Sequence, residues 1–457
     1  MALNIVIMAA GKGTRMKSKL PKVLHRLAGR SLLQHVLDSA AGLGAQRIVA
    51  ITGHGAETVE ARVSAPGLCF VRQEPQLGTG HAVQQAVPLL PDEGTTLILN
   101  GDVPLIRTDT LRALVQACAG RQLALLTIEL ADASGYGRIV RERGAVRGIV
   151  EHKDATPVQR SIREVYTGVM AAPTATLKQW LARLKNDNVQ GEYYLTDVVG
   201  MAVADGVGVA TSAATSEIEV LGINSPVQLA DLERRYQRTL ADALMESGVR
   251  LADPARIDIR GELVAAADVE IDVNCVFEGR VSLGEDVSIG ANCFIRNATI
   301  AAGAMIHPCT HIDGEALGVR VGAGSLVGPF ARLRPGADLA EDVHIGNFVE
   351  VKNSTLARGA KANHLAYLGD ATVGERVNYG AGSITANYDG ANKHRTVIGA
   401  DVHVGSNCVL VAPITIGEGA TIGGGSTVTK SAPARQLTLV RAKQVVIENW
   451  TRPTKKK

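Results

Sequence analysis

The chain has 457 residues, a formal net charge of +3, 49 glycines and only 3% aromatic residues. This length is sufficient for two or three domains with cores of their own. The 48 basic and 45 acidic residues are interspersed, which argues against nucleic acid as a partner, and the basic run Lys455–Lys457 is interpreted as a solvated terminus.

Cysteine usage and hydropathy indicate the compartment. Six cysteines are scattered without a CxxC pair, and we expect all of them to be buried free thiols: Cys69, Cys118, Cys275, Cys293, Cys309 and Cys408. The opening residues LNIVIMAA are typical of a strand rather than a secretion signal, and no apolar stretch is long enough to span a bilayer. The sequence therefore predicts a cytoplasmic protein with no membrane partner.

The N-terminal part alternates strand and helix patterns. An apolar run over residues 3–10 is followed by helical spacing after Ser31 and by a second buried-strand pattern in QRIVAITG. This βαβ alternation predicts a Rossmann-like α/β domain with a mostly parallel sheet.

A glycine-rich loop, GKGTRM, follows the first predicted strand. Gly11 and Gly13 permit a close approach of the backbone to an anion, and Lys12 and Arg15 add positive charge. The spacing fits neither GxGxxG nor GxxxxGK[ST], so dinucleotide and Walker-type sites are poor fits.

A later apolar run, Thr95–Asn100, ends in GDVPL and places Asp102 just beyond the carboxyl end of a strand. Open α/β sheets bind ligands at that edge, and a carboxylate there is suited to holding Mg²⁺ between nucleotide phosphates. An aspartate that caps the next turn would occupy the same position, and position alone does not decide between the two.

The middle of the chain separates two kinds of pattern. ADLERRYQRTLADALMESGV has unbroken helical periodicity, and strand-like residues follow it. We therefore expect an α/β domain over 1–227, a helical linker over 228–248 and a repeat domain over 249–457.

The C-terminal half carries a six-residue repeat. Aliphatic residues recur at Val321, Val327, Leu333, Leu339, Ile345 and Val351, and again at Val404, Leu410, Ile416, Ile422 and Val428. A short fixed period predicts a solenoid in which each coil buries its aliphatic face against the next. Hexapeptide repeats are typical of a left-handed parallel β-helix, and the interruptions at 312–319 and 385–396 are expected to form loops on a binding face.

Two long cations break the repeat. Arg334 and Lys352 occupy the position after the aliphatic residue, which is otherwise mostly small, and they lie one coil apart. Adjacent coils are about 4.8 Å apart, so their charged ends are placed to meet on one phosphate or pyrophosphate, although two solvated cations at a turn fit the same spacing. The HxCxH run at 307–311 alternates faces and lacks an evident fourth ligand, so it is interpreted as structural rather than metal-binding.

Uninterrupted motifs give the chain a resemblance to a known family. MAAGKGTRM, LPKVLH, QLGTGHAV and NGDVPL resemble sugar-1-phosphate nucleotidyltransferases. With GPFARLRPG, GNFVEVKN, KANHLAYLGD and NYDGANK, the chain resembles nearly end to end the bifunctional N-acetylglucosamine-1-phosphate uridyltransferases and glucosamine-1-phosphate acetyltransferases, which supply peptidoglycan and lipopolysaccharide precursors. A single-function nucleotidyltransferase with a structural or regulatory β-helix is the alternative, and the motif around His364 argues against it.

The resemblance implies that the first domain transfers UMP from UTP to N-acetylglucosamine 1-phosphate and releases pyrophosphate. It implies Arg15 and Lys22 as catalytic cations, and Asp102 and Asn224 as ligands of Mg²⁺. The implied nucleotide and sugar contacts are Met8, Ala9, Ala10, Gly11, Lys12, Lys22, Gln73, Gly78, Thr79, Asn100, Gly101, Asp102, Gly137, Glu151, Tyr166 and Asn224. The family usually has an aromatic residue in place of Asn100 and an asparagine in place of Tyr166.

For the repeat domain, the resemblance implies acetyl transfer from acetyl-CoA to the amine of glucosamine 1-phosphate, with His364 as the base. The implied contacts to this substrate are Arg334, Lys352, Tyr367, Asn378, Asn387 and Tyr388. Those to acetyl-CoA are Ala381, Ser406, Gly424 and Arg441, where the family often has alanine in place of Gly424. A homotrimer with acetyl-CoA sites between subunits is also implied.

Overall fold

The computed structural model describes residues 2–455, and the chain divides into two compact units, Met1–Tyr236 and Gln237–Lys457. Of the basic run at the end of the chain, Lys456 and Lys457 lie outside the described residues. Across residues 2–455, every helix is too short or too polar to cross a bilayer.

The first unit contains the following strands: β1 (Leu3–Met8), β2 (Arg26–Leu27), β3 (Arg30–Ser31), β4 (Arg47–Thr52), β5 (Leu68–Arg72), β6 (Thr95–Asn100), β7 (Leu123–Glu129), β8 (Gly137–Glu142), β9 (Ala145–Val150), β10 (Glu164–Pro173) and β11 (Val209–Ala213). Its α-helices are α1 (Leu32–Ala41), α2 (Ala56–Glu60), α3 (Thr79–Ala86), α4 (Thr108–Cys118), α5 (Pro157–Arg160), α6 (Thr174–Arg183) and α7 (Asp197–Ala204). Short 3-10 helices cover Thr14–Met16, Lys22–Leu24, Val87–Leu89 and Glu217–Val220, and α8 (Pro226–Glu246) contains the boundary between the units.

A mostly parallel sheet organises the first unit, which confirms the predicted α/β class. Its order is β11, β7, β10, β6, β1, β4, β5, and β10 runs antiparallel to β6 and β7. Buried apolar residues cover both faces of the sheet, which explains why β1 is apolar at every position except Asn4, which is also buried. Helix α1 begins where the sequence indicates, because the Ser31 hydroxyl accepts a hydrogen bond from the amide of Gln34 (3.2 Å).

The second unit consists of short strands: β12 (Arg250–Leu251), β13 (Ile257–Ala265), β14 (Glu270–Ile271), β15 (Cys275–Leu283), β16 (Ser288–Ile289), β17 (Phe294–Ile300), β18 (Met305–Ile306), β19 (His311–Asp313), β20 (Val319–Val321), β21 (Leu326–Val327), β22 (Arg332–Leu333), β23 (Asp338–Leu339), β24 (His344–Asn347), β25 (Glu350–Lys352), β26 (Thr355–Leu356), β27 (Lys361–His364), β28 (Tyr367–Gly369), β29 (Ala371–Val373), β30 (Asn378–Tyr379), β31 (Ile384–Ala386), β32 (Thr396–Ile398), β33 (His403–Val404), β34 (Val409–Val411), β35 (Ile414–Ile416), β36 (Thr421–Ile422), β37 (Thr427–Val428) and β38 (Leu437–Thr438).

These strands form the predicted left-handed parallel β-helix. Each strand pairs in parallel with the strand above it in the next coil, as β21 pairs with β24 and β24 with β27. The aliphatic residues of the hexapeptides point into the core, where Val321, Leu333 and Ile345 are all at most 2% exposed. The first coil is closed by α8, because the Gln237 amide exchanges two hydrogen bonds of 2.8 Å with the backbone of Ile259.

The cysteines are all free within the described part of the chain, but they are not all buried as predicted. Cys69 and Cys309 are half-buried, because Cys69 lies in the outermost strand β5 and Cys309 occupies a corner of the β-helix with a φ of 61°. The expectation of a buried thiol is therefore wrong at these two positions.

Candidate active sites

The first unit has a cavity of about 270 Å³ at the carboxyl ends of β1 and β6. Many of the predicted contacts line it: Met8, Ala9, Ala10, Gly11, Lys22, Gln73, Gly78, Thr79, Asn100 and Asp102. Gly101 joins the two strands behind the cavity, because its amide donates to the carbonyl of Met8 (2.9 Å). Val23, Gln76, Ala82 and Glu192 also line the cavity and were not among the predicted residues.

Lys22 connects the two predicted metal ligands. Its ammonium group donates to the Asp102 carboxylate and to Oδ1 of Asn224, the latter at 3.1 Å. The main chain brings these ligands together, since the amide of Ile223 donates to the carbonyl of Asp102 (3.0 Å). A carboxylate and an amide oxygen therefore converge on a point that already holds a cation, and such oxygen ligands fit Mg²⁺.

The segment QLGTGH is held rigidly at the cavity wall. Nε2 of Gln73, which is 4% exposed, donates to the carbonyl of Gly78 (3.0 Å). Gly78 has a φ of 107°, and a Cβ there would lie 2.7 Å from the carbonyl oxygen of Tyr193, so this position requires glycine. The Thr79 hydroxyl accepts a hydrogen bond from the amide of Leu195 (3.0 Å), and Gly78 and Thr79 both line the cavity.

The predicted sugar-binding residues form a second cluster, with Gly137 in β8, Glu151 directly after β9 and Tyr166 in β10. Gly137 pairs with Tyr166, and a Cβ on Gly137 would lie 3.7 Å from the Glu151 carboxylate. Burial raises the pKa of Glu151, although the Thr196 hydroxyl donates to it (3.2 Å). Burial also raises the pKa of Tyr166 well above its ordinary value, and nearby Glu151 acts in the same direction. The Tyr166 hydroxyl is buried without a hydrogen-bond partner among residues 2–455.

Asn100 lies in front of β10. A Cβ on Gly168 would be 2.1 Å from Nδ2 of Asn100, so the Asn100 side chain lies directly over the Gly168 backbone. Gly168 has a φ of 89°. It lies two residues after Tyr166, within the stretch of β10 where the pairing with β7 is irregular. The two positions that depart from the family pattern therefore lie on neighbouring strands, and Asn100 packs over a residue two positions from Tyr166.

Two predicted phosphate-binding cations lie outside the cavity wall. Lys12 and Arg15 are exposed, and Arg15 belongs to the short helix Thr14–Met16, whose preceding residue Gly13 has a φ of 59°. Both side chains thus extend from the loop at the cavity rim into solvent. Of the predicted cations, the structure brings Lys22 alone, among residues 2–455, into the cavity lining.

In the second unit, the predicted stacking of Arg334 and Lys352 is observed. The pairing of β22 with β25 places them side by side on consecutive coils, and the amide of Arg334 donates to the carbonyl of Val351 (2.9 Å). The Arg334 guanidinium donates to Glu350 (2.8 Å). The pKa of Lys352 is lowered because Lys393 lies against its ammonium group, with burial and Arg334 acting in the same direction. Lys352 therefore lies beside two other cations, Arg334 and Lys393, while the Asp370 carboxylate acts on its pKa in the opposite direction. We treat this cluster of three cations as a candidate anion site.

Lys393 was missed by the sequence analysis, although it is the last residue of the NYDGANK motif. It belongs to the loop that interrupts the repeat, where its backbone forms an isolated antiparallel β-bridge with that of Tyr388. Tyr388 is 62% exposed, and its hydroxyl donates to the carbonyl of Gly390 (2.6 Å). The interruption of the repeat thus supplies a third cation to the two that its period predicts.

Buried polar groups lie next to this candidate anion site. Asp370 is buried, and the amides of Asn353 and Asn387 both donate to its carboxylate. The Tyr367 ring lies over Gly369, which pairs with Lys352. Asn378 was predicted to belong to the same substrate site, but it lies apart from this cluster, in β30. Its Nδ2 is 3.4 Å from Nε2 of His403.

His364 is exposed at the end of β27, and its Nδ1 lies 2.9 Å from Oδ1 of Asn347. The residues predicted to contact acetyl-CoA follow on successive coils. The amide of Asn407 donates to the carbonyl of Ala381 (2.7 Å), and a Cβ on Gly424 would lie 3.4 Å from the carbonyl oxygen of Ser406. Arg441 lies in the segment after β38, with a guanidinium nitrogen 3.5 Å from the Cβ that Gly423 would carry.

Comparison with known proteins assigns each half of the chain to a family of domains. Residues 5–186 match the MobA-like NTP transferase domain, and residues 395–430 match the bacterial transferase hexapeptide (six repeats). The chain is 74% identical to the bifunctional protein GlmU of Methylibium petroleiphilum over 100% of both chains. It is 70% identical to that of Paracidovorax citrulli over 99% of both chains, and 69% identical to that of Albidiferax ferrireducens over 99% of this chain and 100% of the relative.

The fold and the two sites define a nucleotidyltransferase joined to a hexapeptide-repeat acyltransferase. The chain belongs to the family of bifunctional GlmU proteins, which combine a uridyltransferase with an acetyltransferase. The resemblance stated from the motifs is thereby confirmed, and so is the prediction of an enzyme with two activities. The alternative of a single-function nucleotidyltransferase is set aside.

Proposed function

We propose that the first unit transfers the uridylyl group of UTP to N-acetylglucosamine 1-phosphate, and that the second unit makes this acceptor by acetylating glucosamine 1-phosphate. The observation that carries the proposal is that each unit has one cluster suited to a phosphorylated substrate. These are the cavity at the ends of β1 and β6 and the anion site of Arg334, Lys352 and Lys393. Together the two reactions would form UDP-N-acetylglucosamine.

In the proposed uridyl transfer, a phosphate oxygen of the acceptor attacks the α-phosphorus of UTP, and the bond to the leaving pyrophosphate breaks. The glycine-rich loop presents backbone amides to the phosphates, and the exposed Lys12 and Arg15 are long enough to close over them from the rim. Asp102 and Asn224 would hold Mg²⁺, which neutralises phosphate charge when it is bound. Gly137, Glu151 and Tyr166 would receive the sugar.

In the proposed acetyl transfer, the amine nitrogen of glucosamine 1-phosphate attacks the thioester carbonyl carbon of acetyl-CoA. His364 takes a proton from the nitrogen, the carbon–sulfur bond breaks, and the CoA thiolate leaves and is protonated. Arg334, Lys352 and Lys393 would bind the phosphate and so fix the amine relative to the imidazole. Ala381, Ser406, Gly424 and Arg441 would line the path of acetyl-CoA.

We further infer that the working enzyme is a cytoplasmic homotrimer. Phe330 and Phe348 are 52% and 57% exposed, their rings stack with centroids 5.5 Å apart, and Leu365, which is 62% exposed, follows on the next coil. A column of exposed apolar side chains of this kind favours burial against another subunit. Multi-angle light scattering at working concentration should give three times the chain mass, and a monomeric mass would contradict the inference.

Two variants test the assignment of one reaction to each unit. Asp102→Ala should abolish pyrophosphate release from UTP and N-acetylglucosamine 1-phosphate while leaving thiol release from acetyl-CoA unchanged. His364→Ala should have the opposite effect, so each variant serves as the folding control of the other. Loss of both activities in either correctly folded variant would contradict the two-site assignment.

A further inference from the structure

The hydrogen bond between Asn347 and His364 joins two consecutive coils. Asn347 is the last residue of β24, His364 is the last residue of β27, and the two are register partners in the parallel ladder. Nδ1 of the imidazole lies 2.9 Å from Oδ1 of the amide, a normal hydrogen-bond distance. The ladder therefore fixes which side chain the imidazole meets.

The backbone around the pair is ordered on both sides. Each residue is followed by one in the left-handed region, Phe348 with a φ of 56° and Leu365 with a φ of 50°, so both stand at the same corner of the β-helix. The amide of Leu365 donates to the carbonyl of Asn347 (3.0 Å), and the amide of Gly382 donates to the carbonyl of His364 (3.3 Å). Asn347 thus occupies a fixed position from which its side-chain amide can orient the ring.

We propose that Asn347 is a positioning residue for acetyl transfer, which holds His364 in the orientation and tautomer that a base requires. The proposal rests on the proposed role of His364. An amide oxygen can only accept, so it selects the imidazole in which Nδ1 carries the proton. The lone pair of Nε2 is then directed away from Asn347, and Nε2 takes the proton of the attacking amine as the carbon–sulfur bond breaks and the CoA thiolate leaves.

A neutral amide has a different effect from a carboxylate at this position. A carboxylate would stabilise the positively charged imidazolium, whereas the amide orients the ring without adding charge. The titratable side chains on the strands packed around His364 are His344 in β24, Lys361 in β27 and Tyr379 in β30, and Tyr379 points into the core. Glu350 follows β24 across the corner, where Arg332 and Arg334 bind its carboxylate.

Three variants of the full-length enzyme test the proposal. Asn347→Leu keeps the volume and removes the acceptor, and we expect kcat for acetyl transfer to fall about 10- to 100-fold with little change in KM for glucosamine 1-phosphate or acetyl-CoA. Asn347→Asp keeps the acceptor and adds charge, so the acidic limb of the pH profile of kcat/KM should move to higher pH. His364→Ala is measured in parallel, and uridyl transfer should remain unchanged in all three.

The outcomes separate this proposal from the proposed function. If His364→Ala loses acetyl transfer while Asn347→Leu keeps its kcat, the positioning role is overturned and the base remains. If His364→Ala retains acetyl transfer, the base assignment fails and the positioning role fails with it. Should circular dichroism show that Asn347→Leu does not fold, the pH profile of Asn347→Asp decides alone, and an unshifted acidic limb overturns the proposal.

Discussion

Lys22 occupies the place at which the proposed function puts Mg²⁺, and this has a measurable consequence. Its side chain is 14% exposed and that of Asp102 is 21% exposed, so the ion pair is largely shielded from water. Mg²⁺ can bind Asp102 and Asn224 only if the ammonium group moves away from both oxygens. Replacing Lys22 by methionine, which has a similar shape and no charge, removes this competition.

The expected change in Mg²⁺ affinity follows from the hydrogen bond between Lys22 and Asp102 that must break when the metal binds. A hydrogen bond between charged groups contributes about 1.5–3 kcal/mol, and each 1.4 kcal/mol is about tenfold in affinity. We therefore expect Lys22→Met to bind Mg²⁺ at least about tenfold more tightly in the absence of nucleotide. Uridyl transfer should nevertheless fall, because the same lysine would neutralise phosphate charge during the reaction. Binding and rate thus move in opposite directions.

Isothermal titration of the nucleotide-free enzyme with MgCl₂ measures the affinity, and pyrophosphate release measures the rate. Lys19→Met is the matched control, since Lys19 is an exposed lysine three residues earlier and its replacement should change neither quantity. An unchanged or weaker affinity for Mg²⁺ in Lys22→Met would refute the competition between the ammonium group and the metal.

Three further predictions concern single side chains. Gly168→Ala should lower the free energy of unfolding by about 1–3 kcal/mol in urea titrations, because its methyl group would meet Nδ2 of Asn100 and its φ is 89°; unchanged stability would contradict this packing. Glu151→Gln should stabilise the protein at about pH 8 but not at about pH 4. The raised pKa of Glu151 makes the folded state bind a proton more tightly than the unfolded state, so stability falls as pH rises above the ordinary carboxyl value of 4.5, and glutamine removes this loss. An equal effect at both pH values would exclude that cause. Lys393→Met should raise KM for glucosamine 1-phosphate about tenfold, because the anion site loses a cation beside Lys352; an unchanged KM would remove Lys393 from the site.

The first unit shows which parts of a site sequence patterns can predict. The apolar runs of β1 and β6 locate the sheet edge, and the glycine-rich loop and Asp102 follow directly from them. The hydrogen-bond partners of Lys22 could not be predicted in this way. Asp102 and Asn224 lie 80 and 202 residues away from Lys22 in the chain, so no local pattern shows that its ammonium group rests between them. The exposed positions of Lys12 and Arg15 are equally invisible in a motif.

In the β-helix, the repeat itself predicts contacts, and it does so only where its period holds. Arg332 pairs with Glu350, 18 residues later, so counting in sixes brings Arg334 to Lys352. The next buried aliphatic residue after Val351 is Leu356, five residues on, and this coil is one residue shorter. Asn347 therefore pairs with His364 at a separation of 17, whereas an unbroken count of 18 would place Gly346 opposite the imidazole.

Lys393 lies in the coil where the count fails most. Asn378 pairs with His403, 25 residues later, so this coil is longer than the 18-residue coil that pairs Arg332 with Glu350, and it contains the inserted loop. The period of the repeat thus finds Arg334 and Lys352, while the side chains that would complete their site and orient the base come from a shortened coil and an inserted loop. Since a regular coil presents mostly small residues at the corner, departures from the period are where this fold can place additional chemistry, and the spacing errors of a hexapeptide repeat are the positions to search first.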